Sequence, residues 1–146
     1  TREVAGEVVK ALGTGLQFVR NAELLPALGE TAEKARGRRA PFWRSDLTFA
    51  LADAQVEGLS ALLAATGFGE AEEAGAVVGS LQFDLRHARD ALAAVSTPAE
   101  DAFADAQDRE RIRYVTVVLE AANAALGERL SAALGLTMGF NALDGD

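Results

Sequence analysis

Residues 74–92 read AGAVVGSLQFDLRHARDAL, and this stretch carries the clearest helical pattern in the chain. Its apolar side chains recur every three or four positions, at Ala74, Val77, Val78, Leu81, Leu85, Ala88 and Leu92. That spacing places them on one face of an α-helix. It therefore predicts an amphipathic helix from about Glu70 to Val95.

Helical spacing extends to the rest of the chain, in which alanine and leucine are abundant and prolines number three. A first helix is predicted from about Arg2 to Arg20, with a break at Asn21 to Pro26. Residues 29–43 lose the apolar periodicity and form a long connection. We expect a single domain over residues 1–146, folded as an all-α, up-and-down four-helix bundle.

The start of the last helix is marked by Thr97, Pro98 and Glu100. They supply a capping hydroxyl, a proline at the first helical position and a carboxylate at the third. The helix is predicted to run to about Leu134. Residues 135–146 are too apolar for a frayed end, so we expect this tail to dock on the domain.

The second helix, from an N-cap at Ser45 to Gly67, carries two apolar faces. One face holds Leu47, Leu51, Ala54, Gly58 and Leu62, and the other holds Phe49, Ala52, Val56, Leu59 and Leu63. One bundle cannot bury both. We therefore predict that the face with Phe49, Val56 and Leu63 is exposed, or packs on another bundle or a second copy of the chain.

The amino-acid composition argues against several classes of function. The 146 residues hold 22 acidic against 14 basic side chains, a net charge of -8, which disfavours nucleic acid and anionic membranes as partners. The chain has no cysteine, which excludes disulfides, thiolate metal sites and cysteine nucleophiles. It has no uninterrupted apolar stretch of the length that a membrane span needs.

The single histidine is a weak candidate for a metal ligand. His87 has Asp84 three residues before it and Asp90 three residues after it, so the three side chains share one helix face. Arg86 and Arg89 oppose a cation there and can pair with the same carboxylates. A solvated face of ion pairs is the favoured interpretation.

Basic residues concentrate at Arg36, Arg38, Arg39 and Arg44, around Phe42 and Trp43. Such a cluster can receive an anion or a carboxylate. We interpret the first three as solvated loop charges. Arg44 differs, because it lies beside an aromatic pair at a helix start, where its guanidinium can be oriented.

The tail carries Asn141, Asp144 and Asp146, oxygen donors of the kind that hard cations prefer. From spacing alone, a turn in which these side chains bond their own backbone is favoured.

Taken together, these segments closely resemble the imelysin family. The tail LGLTMGFNALDGD, residues 134–146, is similar to the family's closing signature, LG-x-x-x-GFN-x-x-DGD. Residues 21–29, NAELLPALG, are similar to the segment before its long connection, and Trp43, Arg44 and Ser45 to its W-R-S step. Gly58 and Leu59 fit its G-L pair. The resemblance covers nearly this whole chain and the C-terminal half of a family member.

The resemblance implies a bacterial cell-envelope protein, periplasmic or lipid-anchored, that takes part in iron uptake. It further implies two packed helical bundles with a functional site between them. Some relatives are metallopeptidases, and the family's hallmark is a G-x-H-x-x-E motif in the N-terminal half. His87 lacks the glycine and the glutamate of that motif. Iron or another divalent metal would then take its principal ligands from the N-terminal half.

By their positions in the family's motifs, the resemblance implies five candidates for ligand binding: Arg44, Ser45, Asn141, Asp144 and Asp146. Arg44 can orient a carboxylate ligand or hold Asp144 in a bidentate pair. We interpret the chain as a binding component that works with the N-terminal bundle and with other iron-uptake components. Half of a metallopeptidase and a purely structural or partner-binding bundle are the alternatives.

Overall fold

A computed structural model describes residues 1–136 of the chain, and these residues form helices and turns without any strand. The α-helices are α1 (Arg2–Phe18), α2 (Leu25–Leu28), α3 (Thr48–Ala65), α4 (Gly75–Ala94), α5 (Ala99–Ala102), α6 (Ala106–Ala125) and α7 (Ser131–Ala133). Contacts join α1 to α3, α3 to α4, α4 to α6 and α6 to α1. The all-α prediction is confirmed for this region, whereas the up-and-down four-helix order stays a prediction.

The core is formed by the faces that these four long helices turn toward one another. On α4 the buried side chains are Val77, Val78, Leu81, Leu85, Ala88 and Leu92, which confirms the stripe predicted from the sequence. Phe103, between α5 and α6, is among the largest side chains without solvent exposure. Burying each large apolar side chain contributes roughly 1.5–3 kcal/mol, so this core supplies most of the stability.

The first helix does not break at Asn21 to Pro26, which corrects the sequence prediction. A π-helical segment, Val19–Leu24, continues α1 directly into α2. At its end the Leu25 N–H donates to the carbonyl of Arg20, five residues back. Pro26 lies in the first turn of α2, where a missing N–H is tolerated. The helical path ends at Gly29, whose φ of 62° suits glycine.

The second and third helices begin later than predicted. Ser45 does not cap α3, because Trp43–Ser45 is itself a 3-10 turn and α3 starts at Thr48. Likewise, a 3-10 turn at Phe68–Glu70 precedes α4, which starts at Gly75.

The predicted last helix is divided in two. Thr97 does not cap either part, because Pro98 precedes α5 and Asp105 precedes α6. Helix α5 ends at Ala102, and α6 begins after Asp105. The Asp105 carboxylate accepts from the N–H groups of Gln107 and Asp108, at 3.0 and 2.9 Å. These two hydrogen bonds stabilise a new helix start at Asp105 and explain the division. A π segment, Leu126–Leu130, and α7 then extend α6.

The two-faced pattern of α3 is present, but the exposed face is the other one. Val56 and Leu63 are buried within the chain, and Phe49 packs on Phe103 with ring centroids 5.4 Å apart. The prediction that these residues form an open patch or a contact with another bundle or copy is therefore wrong. Leu47 and Leu62, from the opposite stripe, are 51% and 42% exposed. The buried residues meet α4 and Phe103, and periodicity alone does not say which of two apolar stripes a neighbour covers.

Among residues 1–136, none of the helices has the length and apolarity that crossing a membrane requires.

The connection between α2 and α3 is fixed on α5 at one glycine. Gly37 is buried, and a Cβ added there would collide with the backbone carbonyl oxygens of Ala99 and Glu100. Backbone cannot yield as a flexible side chain does, so this contact specifies glycine.

We expect Gly37→Ala to lower the free energy of unfolding by about 2–3 kcal/mol, the cost typical of overpacking. Gly79→Ala on α4 is the matched control, because no atom lies within 4 Å of the added Cβ and alanine favours the helix. Urea denaturation followed by circular dichroism compares the two. Equal stabilities of the two variants would show that the contact at Gly37 is not tight.

Candidate functional site

The segment Trp43–Ser45 forms a 3-10 turn between two residues with strained backbone. Phe42 and Asp46 have φ values of 57° and 55°, in the left-handed region that side chains other than glycine rarely adopt. Such strain persists only where surrounding contacts impose it, and it concentrates at functional sites. The turn is therefore the first candidate for function.

Hydrogen bonds on both sides hold this turn. The Asp46 carboxylate accepts from the N–H of Ala99 at 2.8 Å, which ties the turn to the start of α5. The Thr48 hydroxyl donates to the carbonyl of Pro41 at 2.7 Å, and the Leu47 N–H donates to the carbonyl of Phe42. The turn is thus anchored to the domain.

Two arginines share the indole of Trp43. The guanidinium carbon of Arg44 lies 4.9 Å from the ring centroid, and that of Arg38 lies 5.2 Å from it. Arg38 also forms an ion pair with Glu100 at 2.6 Å. Arg44 is exposed and makes no ion pair with the side chains of residues 1–136. Its guanidinium is oriented by stacking, and its donors are available to a ligand.

Ser45, the second candidate at this step, has a local role. Its hydroxyl donates to the carbonyl of Phe42 at 3.2 Å, and the side chain is exposed. It closes the turn that presents Arg44. The other predicted ligand-binding residues, Asn141, Asp144 and Asp146, lie outside the described residues.

His87 does not form a metal site with its two aspartates. Within residues 1–136, no three His, Asp or Glu side chains come close enough to hold a metal ion. The imidazole packs on the ring of Phe83, with centroids 4.2 Å apart. Arg89 pairs across the helices with Asp53 at 2.8 Å and Glu57 at 3.3 Å. Neither Asp84 nor Asp90 takes part in these pairs.

Comparison with known proteins establishes the family of the region that contains the turn and the long helices. The family model described as imelysin, which has a peptidase label, matches residues 1–126. The chain belongs to the imelysin family. No curated protein and no solved structure matches it significantly. The matched region of this imelysin chain includes the Trp43–Ser45 turn and ends before the tail.

The sequence analysis did not identify a buried glutamate of this imelysin chain, which pairs with a glutamine. Glu23, in the π segment, is 5% exposed, and one of its oxygens accepts from the Gln55 amide at 2.9 Å. The other carboxylate oxygen, Oε2, and the Gln55 oxygen, Oε1, are buried without a hydrogen-bond partner. Burial raises the pKa of Glu23, and the Gln55 hydrogen bond only partly offsets this effect. No local signal in the sequence could have found this pair, because 32 positions separate the two residues.

Two further buried charges organise the helix ends. Arg109 donates to the carbonyls of Leu28, Gly29 and Phe103. Asp108 accepts from the N–H groups of Ser96 and Thr97, at 3.2 and 2.8 Å, and pairs with Arg111 at 2.6 Å. Arg109 and Asp108 thus bind backbone groups near helix ends, which have no partner within a helix.

Acid should weaken the fold through Asp108. Burial opposes its ionisation, but hydrogen bonds from Thr97, Arg111 and Ser96 prevail and lower its pKa to about 2. Because the folded-state pKa lies below the unfolded value, the ionised form contributes roughly 2 kcal/mol above pH 4, and this is lost as the pH falls toward 2. We expect Asp108→Asn to be less stable than wild type at pH 6, with the difference shrinking below pH 4 in urea denaturation.

Asp101→Asn, at an exposed aspartate of α5, is the control and should change stability little at either pH. A difference between wild type and Asp108→Asn that stays constant from pH 6 to pH 2 would contradict the assignment.

Glu23 should behave in the opposite sense. Its raised pKa means that its contribution to stability is largest below the unfolded-state pKa and is lost as the pH rises through the folded-state value. Glu23→Gln mimics the neutral form and adds a donor for the unpaired Gln55 oxygen. We expect it to raise the free energy of unfolding at pH 7 by about 1 kcal/mol, and less at pH 4.

Thermal denaturation at the two pH values tests this, with Glu72→Gln, at an exposed glutamate that forms no ion pair with residues 1–136, as a control. A Glu23→Gln protein that is less stable than wild type at pH 7 would show that the carboxylate is needed in its charged form.

Proposed function

We propose that this chain is a cell-envelope component of iron uptake in which Arg44, held on the Trp43–Ser45 turn, binds a carboxylate of a metal-associated ligand. The observation that supports this proposal is the exposed guanidinium of Arg44, which is stacked on Trp43 and forms no ion pair with residues 1–136. Membership of the imelysin family supports the wider role. The four long helices then form an up-and-down bundle that packs on an N-terminal bundle.

Arg44 suits this role better than its neighbour. The Arg38 guanidinium already binds Glu100 through two of its nitrogens. A guanidinium whose donors are free can form two parallel hydrogen bonds to one carboxylate, a geometry that lysine cannot reproduce. The carboxylate can belong to a soluble chelator or to Asp144 of the tail. The chemistry is the same in both cases, and the experiment below distinguishes the two sources.

The described residues do not form a site for the metal itself, since no three suitable side chains converge within 1–136. In the proposed role this chain contributes ligand binding rather than first coordination of the metal. Principal metal ligands would come from the N-terminal half, and Ser45, Asn141, Asp144 and Asp146 would line the ligand site. Iron or another divalent metal is the proposed ion.

The family's peptidase label favours a second candidate, half of a metallopeptidase. Hydrolysis needs a metal-activated water and a general base. In that case the metal-binding residues must come from outside residues 1–136, and Arg44 would bind the terminal carboxylate of a peptide.

The test is calorimetric titration of citrate, ferric citrate and zinc chloride into the full chain. We expect both citrate solutions to bind and zinc chloride not to bind. Arg44→Gln should weaken citrate binding at least tenfold, about 1.4 kcal/mol, because charge-assisted hydrogen bonds are lost. Its melting temperature should stay within 1–2 °C of wild type, roughly the change expected for a surface substitution.

Arg113→Gln is the matched control, since Arg113 is exposed and, among residues 1–136, forms its ion pair within its own helix, with Glu110. It should bind citrate as wild type does. Asp144→Asn should strengthen citrate binding if the tail carboxylate competes for Arg44, and leave it unchanged if the natural ligand is a soluble chelator. Undiminished citrate binding by Arg44→Gln would overturn the proposal. A loss of unfolding free energy as large as the loss of binding free energy would assign Arg44 a structural role.

A further inference from the structure

A cleft of about 750 Å³ opens between α1 and α3. Its lining is mostly apolar and includes Phe18 of α1 and Leu59 of α3. Phe18 is 54% exposed, and Leu62, close by in sequence on α3, is 42% exposed. Large apolar side chains that stay exposed beside an apolar cleft mark a surface on which another group binds.

The described part of the chain ends beside the start of α1. Helix α6 and its extension into α7 run antiparallel to α1. Toward one end of this pair, the Arg20 side chain donates to the carbonyl of Thr116 at 3.0 Å. Toward the other end, a Cβ added at Gly135 would lie 3.9 Å from the guanidinium of Arg2. The chain therefore leaves α7 next to the helix that forms one wall of the cleft.

Gly135 turns the chain out of the helical path. Its φ is 64°, the left-handed conformation that commonly ends helices, and the Leu136 N–H donates to the carbonyl of Ser131 at 2.8 Å. Leu136 then packs against the core. The path that residues 137–146 continue therefore begins at the domain itself, beside α1.

The distances allow residues 137–143 to follow the cleft along its length. From Arg2 to Phe18, α1 rises about 24 Å, at roughly 1.5 Å per residue. An extended chain covers roughly 3.3 Å per residue, so a segment of about seven residues spans the same distance. Glu7, which lines the cleft nearest the start of α1, lies about 8 Å along the helix, within reach of the first two or three of them.

Residues 137–143, TMGFNAL, have the pattern of an extended segment with one apolar side. Alternate residues of an extended chain point to the same side, which here holds Met138, Phe140 and Ala142. The other side begins with small or polar residues, Thr137, Gly139 and Asn141. None of the seven residues is charged, so covering them requires no desolvation of a charge.

Electrostatics favours this segment over a second copy of the chain. The two charged side chains that line the cleft, Glu7 and Lys10, pair with each other at 3.1 Å. Two copies that each carry a net charge of -8 repel one another. The uncharged segment is also tethered to the domain, which keeps its local concentration high. The acidic residues of the tail come after it, at Asp144 and Asp146.

We propose that residues 137–143 dock in extended form in the cleft between α1 and α3, with the Met138 and Phe140 side chains beside Ala11. The segment then covers the apolar surface that ends at Phe18. Thr137, Gly139 and Asn141 face solvent.

Docked in this direction, the tail carries its acidic end toward the start of α3. Helices α1 and α3 are antiparallel, because Gly15 lies against Leu59 and Glu23 pairs with Gln55. The start of α3 follows closely after the Arg44 turn. The inference rests on the apolar residues of the tail, and it does not depend on the proposed function.

Met138 is the single methionine of the chain, so one methyl signal in NMR spectra reports on the tail. The test uses the full chain with isotope-labelled methionine, and a peptide of residues 134–146 gives the chemical shift of the free tail. We expect the Met138 methyl shift to differ from that of the peptide, with nuclear Overhauser contacts to Ala11. A methyl shift equal to that of the peptide would overturn the proposal.

Spin labels then locate the tail, because the chain has no cysteine and each introduced one is unique. A nitroxide on Ala61→Cys, an exposed site near Gly58 on α3, should remove most of the Met138 signal. The control label on Gly79→Cys, on α4 and outside the cleft, should remove little of it. A larger loss from the label at Gly79 would place the tail elsewhere and overturn the proposal.

A mixed sample tests the second copy as the occupant. It combines the chain with isotope-labelled methionine and a separate, spin-labelled Ala61→Cys chain. Within one chain, docking predicts no loss of the Met138 signal in this mixture. A loss would assign the cleft to the tail of a second copy and overturn docking within the chain.

Filling the cleft should release the tail. Gly58→Leu fits without a clash at Cβ, since an added Cβ there meets no atom within 4 Å, and circular dichroism checks that the fold is retained. It should move the Met138 signal to the position of the peptide, whereas Gly79→Leu, equally unobstructed on α4, should leave the signal in place. A signal that Gly58→Leu does not move would contradict docking in the cleft. Failure of citrate binding at Arg44 would leave all these outcomes unchanged.

Discussion

The buried guanidinium of Arg109 determines how the segments between the long helices are arranged. Helix ends leave carbonyl groups without partners, and burying them without donors is costly. Arg109 donates to the last carbonyls of α2, at Leu28 and Gly29, and to Phe103 after α5. One residue of α6 thereby joins both short helices. Asp108, its neighbour in sequence, does the same for the N–H groups of Ser96 and Thr97.

The path of the connection follows from this arrangement. With α2 and α5 fixed on α6, Gly37 packs on the backbone of α5, and Asp46 accepts from the first N–H of that helix. These contacts impose the left-handed conformations of Phe42 and Asp46, each of which costs on the order of 1 kcal/mol or more. The outcome is a rigid turn on which Trp43 orients Arg44. A long loop with several glycines and arginines thus becomes a fixed platform for one exposed cation.

The interface between α1 and α3 has a different chemistry. Helices α1 and α3 approach closely where Gly15 meets Leu59, whereas no atom lies within 4 Å of a Cβ added at Gly58. The π segment places Glu23 against Gln55 with acceptors in excess of donors.

The amino-acid sequence was enough to establish the all-α class, the buried face of α4 and the imelysin membership. Each of these depends on local periodicity or on a linear motif, which the chain carries before it folds. It also singled out Arg44, through its aromatic neighbour. The packing of the folded chain determined which stripe of α3 is buried, because both stripes are apolar and differ only in their position relative to α4 and Phe103. It likewise decided that Asp46 caps α5 rather than its own helix, and that Glu23 and Gln55 meet. Those pairs join residues 53 and 32 positions apart, and no local pattern encodes a contact over such a distance.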